Sequence, residues 1–98
     1  MQGRTCVVTG ANSGIGKSLA TSFARAGATV VMVCRDPRRG EQARQDVLRV
    51  AGRSDGVELE LCDVGSLASV RAFAGRWNAT KRPIHVLMNN AGIYLPRR

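Results

Sequence analysis

A chain of 98 residues, 44% hydrophobic and 22% charged, has room for one packed core but not for a cofactor domain plus a substrate domain, and its balance excludes a disordered chain. The formal net charge of +8 raises nucleic acid as a partner, but the arginines are scattered along the chain. The only arginines adjacent to one another are Arg38-Arg39 and Arg97-Arg98, and no basic run interleaves with aromatics, so we expect solvated helix faces and no nucleic acid.

The first apolar run, Thr5 to Thr9, is β-branched and ends at Gly10, which reads as a buried strand. From Ile15, the spacing of Ile15, Leu19, Ala20, Phe23 and Ala24 gives one helical face, with Gly27 as its stop. Thr29 to Cys34 reads as a second buried strand, and Pro37 bars its continuation. Arg38 to Ala51 carries Ala43, Val47, Leu48 and Ala51 on one side and ends at Gly52, a second amphipathic helix. Val57, Leu59 and Leu61 alternate with Glu58 and Glu60, a third strand nearer the sheet edge. Ser66 is placed to cap a third helix whose expected inner stripe is Leu67, Val70, Ala74 and Trp77. Pro83 precedes a fourth strand, Ile84 to Met88. His85 then falls within a strand, as a packed or edge histidine.

Strands alternating with helices predict one α/β domain over 1–98, a doubly wound parallel sheet of Rossmann type, here partial, with strand order 3-2-1-4. A ligand is expected at the carboxyl ends of the first and fourth strands, where the order reverses. Cys6, Cys34 and Cys62 show no metal-ligand or CxxC spacing and lie in or beside apolar runs. They read as reduced, buried thiols of an intracellular protein, cytoplasmic rather than organellar or membrane-associated. We expect no metal, no signal peptide and no membrane span, because no apolar run approaches the ~18 residues that a span needs.

The sharpest feature lies between the first strand and the first helix: Thr9-Gly10-Ala11-Asn12-Ser13-Gly14-Ile15-Gly16. Gly10 permits a tight turn, Gly14 lets the backbone approach a pyrophosphate, and Gly16 lets the helix pack closely on the strand. The helix N-terminus then offers amides and a partial positive charge to phosphate. This GxxxGxG spacing resembles that of the short-chain dehydrogenase/reductase family. Asp63-Val64 after the third strand and Asn89-Asn90-Ala91-Gly92 after the fourth match the same family in order, so the resemblance runs from Thr5 to Gly92. Taken singly, Asp63 also fits a helix cap, and Asn89 and Asn90 also fit ordinary turn residues; in combination these readings lose ground.

The resemblance implies a nicotinamide dinucleotide held by Gly10, Asn12, Ser13, Gly14, Ile15, Gly16, Asp63, Val64, Asn90, Ala91 and Gly92, with Asp63 bonding the adenine. Relatives that use NAD place an acidic residue at the end of the second strand to bind the ribose hydroxyl. Here that position is Cys34, followed by Arg35, which suits a 2′-phosphate. NADP(H) is therefore favoured over NAD(H). Against this stand Asp36, which a shifted loop would bring to the ribose, and Ser13, where some NADP-using relatives carry a basic residue. Lys17 is read as a surface residue.

Gly10 to Lys17 with Val33 to Asp36 looks most like the retinol-dehydrogenase-like branch, which implies an oxidoreductase acting on alcohols or carbonyls, lipid-like ones included. The family's chemistry uses a Ser and a Tyr-x-x-x-Lys lying beyond the NNAG stretch, so the chain reads as a truncated amino-terminal portion with its catalytic half absent. Tyr94 and Arg98 mimic the spacing, but Arg does not readily give up its charge and Pro96 breaks the helix that would align them. No catalytic residue is assigned. A small-molecule substrate is expected only in a full-length form. A non-catalytic cofactor-binding or regulatory module that associates with a full-length relative is the alternative, and a homo-oligomer is left open. The fourth strand is expected to be an exposed sheet edge and the chain marginally stable.

Overall fold

A computed structural model describes residues 1–12 and 14–90. The β-branched runs form strands β1 (Thr5–Thr9), β2 (Thr29–Cys34), β3 (Val57–Leu61) and β4 (Val86–Met88), alternating with helices α1 (Gly14–Arg25), α2 (Pro37–Ala51) and α3 (Leu67–Thr80). All strand pairs are parallel and the order is β3-β2-β1-β4, as expected. Thr5 to Thr9 align with Thr29 to Val33, while Cys6, Val7 and Val8 align with Val86, Leu87 and Met88.

Side chains alternate across the sheet, so the central strands feed two apolar layers. On one face Val8, Val30 and Met32 pack against Ala20 and Ala24 of α1 and Ala43 and Val47 of α2. On the other, Val7, Val31 and Val33 pack with Cys62, Trp77 and Phe73. β1 and β2 are buried almost throughout, whereas Leu61 of β3 and Leu87 of β4 are exposed. The edge placement of β3 and β4 follows from the strand order.

Helix boundaries have local causes. Asp36 caps α2 by accepting the Arg38 and Arg39 amides, and Pro37, which has no amide to leave unpaired, opens the helix. Gly52, at φ 70°, closes it, its amide bonding the Arg49 carbonyl at 3.2 Å. Ser66 caps α3 through the Ser69 amide, as expected.

Three expectations are corrected. Ile15 is 64% exposed, so the inward face of α1 is Gly16, Ala20 and Ala24 with Leu19 and Phe23 beside them. The inner stripe of α3 is not Leu67, Val70, Ala74 and Trp77: Leu67 is 65% exposed and only Trp77 of the four is buried. The line facing the sheet is Ser69, Phe73 and Trp77, spaced four apart, because the Ser69 hydroxyl accepts the Asp63 amide at 2.9 Å and the two rings meet at 6.3 Å. The fourth strand begins at Val86, not Ile84. His85 lies just ahead of it and is exposed; its Nδ1 accepts the Thr5 amide at 2.9 Å while its own amide donates to the Thr5 carbonyl. A ring nitrogen thus stands where a ladder carbonyl would.

The connection from α3 into β4 is tied down by Arg82. Its guanidinium forks onto both Glu58 oxygens at 2.9 Å and lies 4.7 Å from the Trp77 ring centroid. The Trp77 indole donates to the Arg82 carbonyl at 3.0 Å.

Candidate functional site

The carboxyl ends of β1 and β4 lie side by side where the strand order reverses, and α1 leaves from the end of β1; that reversal is where a doubly wound sheet takes its ligand. The chain turns sharply after β1. Gly10 adopts φ 61° and Gly14 φ 53°, both left-handed values that favour glycine. The Gly10 amide donates to the Val33 carbonyl at 3.0 Å, which anchors the start of the turn to β2.

Gly16 is a close-approach glycine. A Cβ there would overlap the Gly10 carbonyl oxygen and stand 2.9 Å from the Asn90 side-chain nitrogen. A Cβ on Gly14 would meet nothing within 4 Å, so that part of the turn faces open space. The first turn of α1 carries no acidic side chain to repel an anion, and its leading amides have no intrahelical acceptor by helix geometry. Such a cradle fits a diphosphate.

The end of β4 is stitched to this turn. Asn90 Nδ2 donates to the Gly10 carbonyl at 3.3 Å, and the Thr9 hydroxyl meets the Asn89 side-chain oxygen at 3.1 Å. Gly10, Asn12, Gly14, Ile15, Gly16 and Asn90 are thereby gathered at one place. Ser13, Ala91 and Gly92 lie outside the described residues, as do Tyr94 and Arg98.

Asp63 and Val64 follow the end of β3, with β2 between them and β1. Asp63 Oδ1 accepts the Gly65 amide at 3.0 Å, a turn role, while Ser66 does the capping. Val64 is exposed.

Cys34 closes β2 with its side chain 2% exposed, and burial pushes its thiol pKa up against the lowering effect of the Ala11 amide. Arg35, next in the chain, is exposed. Asp36 points into its own backbone. Its carboxyl is held below the ordinary range first by the Arg39 amide, then also by the Arg38 amide and the charges of both arginines.

Lys17 is not a plain surface residue. Its ammonium reaches across from α1 to Asp46 of α2 at 2.7 Å, and the Asp46 carboxyl is held down by Lys17 first and then by Arg49. This pair lies in a cleft of about 430 Å³ between the two helices, lined also by Asn12, Arg38, Arg39, Gln42 and Ala43. Sequence reasoning passed over Arg38 and Arg39 as one more basic pair. The Asp36-Pro37 helix start was the available signal, since it puts them in the first turn of a helix that leaves the carboxyl side of the sheet. Among the described residues no cluster of His, Cys, Asp and Glu is placed to hold a metal, and no helix is long and apolar enough to cross a membrane.

A family profile described as short chain dehydrogenase matches residues 4–98. The human protein "Dehydrogenase/reductase SDR family member 13" is 48% identical over 93 residues, covering 95% of this chain and 24% of that protein. Mouse "Retinol dehydrogenase 12" is 41% identical over 93 residues, covering 95% of this chain and 29% of that one. A solved metagenomic short-chain oxidoreductase, described as a complex with NADP, superposes with a TM-score of 0.75 at 30% identity, covering 89% of this chain and 38% of that structure. The chain thus spans under a third of the length of these two sequence relatives.

Proposed function

This chain belongs to the short chain dehydrogenase family, whose members are oxidoreductases that bind a nicotinamide dinucleotide, and from that premise we propose that it is the NADP(H)-holding part of an oxidoreductase acting on alcohols or carbonyls. The observation that supports this most is the turn from Gly10 to Gly16. Its left-handed glycines, the close approach of Gly16 to the Gly10 carbonyl and the Asn90 bond put an open helix start at the switch between β1 and β4.

In this reading Gly14, Ile15 and Gly16 present main-chain amides to the diphosphate, Gly10 and Asn12 shape the turn, and Asn90 fixes it to β4. Arg35 supplies positive charge to the ribose phosphate, and Asp63 and Val64 flank the adenine. Ser13, Ala91 and Gly92 belong to the same reading by family pattern. When bound, the dinucleotide supplies or accepts a hydride. The residues named for this chain bind and orient it, and none is assigned a proton-transfer role. Likeness to retinol dehydrogenase 12 favours a lipid-like alcohol or aldehyde as the substrate of a longer protein that contains this chain.

Calorimetric titration of NADPH and NADH onto the chain tests the proposal. NADPH is expected to bind more tightly, and Arg35→Ala to weaken NADPH while sparing NADH. Equal affinity for the two, unchanged by Arg35→Ala, would overturn the cofactor preference. Binding of neither would overturn the whole reading.

A further inference from the structure

β4 has little of its own to fix its register. It is a three-residue edge strand in which Val86 and Met88 are half-buried and Leu87 is exposed. Register is set firmly where one face of a strand is buried and loosely where it is not. Yet the glycine-rich turn depends on this strand landing correctly. Val8 stands opposite Met88, so Thr9 and Gly10 follow in step with Asn89 and Asn90. That step is what lets Asn90 Nδ2 reach the Gly10 carbonyl and the Thr9 hydroxyl meet Asn89. A slip of β4 would carry both asparagines away from these partners.

The other end of the pairing is clamped by one residue. The His85 amide donates to the Thr5 carbonyl at 2.9 Å, and its ring Nδ1 accepts the Thr5 amide at 2.9 Å. The first bond is open to any residue with a main-chain amide; the second belongs to the side chain. An imidazole accepts at Nδ1 only when it is neutral and carries its proton on Nε2. Once protonated, both nitrogens are donors, and Nδ1–H would face the Thr5 N–H. Among the described residues no carboxylate forms an ion pair with the ring. The charged groups along the two segments that meet here are cations. They are the amino terminus and Arg4 ahead of β1, and Lys81 and Arg82 on the connection from α3, with Arg82 bound to Glu58.

We propose that His85 is a positioning residue for the dinucleotide site: its neutral ring, bonded to the Thr5 amide, holds β4 in the register that delivers Asn90 to the glycine-rich turn. Its bearing on binding rests on the cofactor reading above; the register does not. Without the ring bond, a smaller fraction of the chain has β4 docked in step, and apparent affinity falls with that fraction.

The test compares the chain with its His85→Ala and His85→Asn variants. Asn places a non-titrating acceptor, Oδ1, where Nδ1 stands, and His85 is exposed, so neither variant opens a cavity in the core. NADPH and NADH are titrated calorimetrically from roughly pH 8 to 5, the range in which an imidazole changes charge. His85→Ala is expected to weaken both dinucleotides alike, by about three- to tenfold, the scale of one lost hydrogen bond, and His85→Asn to restore them. The ratio of parent to Asn-variant affinity should be near one at the alkaline end and fall as the ring protonates; the cofactor's own titration cancels in that ratio. By NMR, the Thr5 amide and the Asn90 side-chain amide should exchange faster in His85→Ala and recover in His85→Asn. Alanine binding as the parent does would overturn the proposal and leave the cofactor reading standing. So would alanine and asparagine weakening equally, or an affinity ratio flat across the pH range. If the parent binds neither dinucleotide, the cofactor reading falls, and unchanged exchange at Asn90 in His85→Ala would sink the register claim with it.

Discussion

Replacing Gly16 with alanine adds one methyl where the turn has no room for it. The new Cβ would overlap the Gly10 carbonyl oxygen and stand 2.9 Å from Asn90 Nδ2. Asn90 can swing aside only by giving up its 3.3 Å bond to that carbonyl. The Gly10 backbone is held by its amide bond to Val33 at 3.0 Å, so relief must come from opening the turn. Overpacking costs about 1–3 kcal/mol and the lost Asn90 bond about 1 kcal/mol, set against a gain of up to about 1 kcal/mol from alanine over glycine in a helix. The net destabilisation is about 1–3 kcal/mol. Because the strain falls on the turn that faces the diphosphate, NADPH affinity should also drop about tenfold or more, about 1.4 kcal/mol. Gly75→Ala is the control. It lies in α3, its Cβ would meet nothing within 4 Å, and it should stabilise by about 0.5–1 kcal/mol without touching binding. Urea unfolding and NADPH titration of both variants decide the matter. Gly16→Ala behaving like Gly75→Ala in both assays would refute the reasoning.

Arg82→Ala removes the fork onto Glu58 and the cation over Trp77. These groups are part-exposed, so a loss of about 1 kcal/mol in urea unfolding is expected, with Trp77 fluorescence shifting to the red; an unchanged midpoint would contradict the latch. Glu41 should titrate at about 2, held down by Arg44 first and Gln45 second, against its ordinary 4.5. The folded value is the depressed one, so this contribution to stability is present above 4.5 and fades as pH falls towards 2. A carboxyl-carbon NMR titration with its midpoint near 4.5 would rule this out, and Arg44→Ala should move the midpoint up. Cys6, Cys34 and Cys62 are all buried, and burial raises the pKa of the first two. A thiol reagent at neutral pH should label all three in denaturant but none promptly in the folded chain; rapid native labelling of any would show a core open to solvent.

What the sequence made legible was local. The β-branched runs, the glycine stops and the Asp36-Pro37 and Ser66 helix starts are written in neighbouring residues, and strand alternation with right-handed crossovers then leaves few sheet orders to choose from. The glycine-rich turn was legible for the same reason, because its conformation is dictated by residues that lack a Cβ. The inward face of α3 was not. Leu67 and Val70 look more apolar than Ser69, but the Asp63 amide just past β3 bonds the Ser69 hydroxyl, and Phe73 and Trp77 pack on Val7, Val31 and Val33 of the sheet. The start of β4 was hidden too, because it depends on a histidine ring bonding a residue 80 positions away. The Lys17–Asp46 pair, 29 positions apart, likewise exists only once α1 lies on α2.

The most direct measurement is an amide NMR titration of the isotope-labelled chain with NADPH. The largest shifts are predicted at Gly10, Asn12, Gly14, Ile15, Gly16 and Asn90, with Glu58 and Glu60 on the outer strand barely moved. Saturable shifts confined to β3 and α3, or none at the turn, would contradict a diphosphate seated on the start of α1.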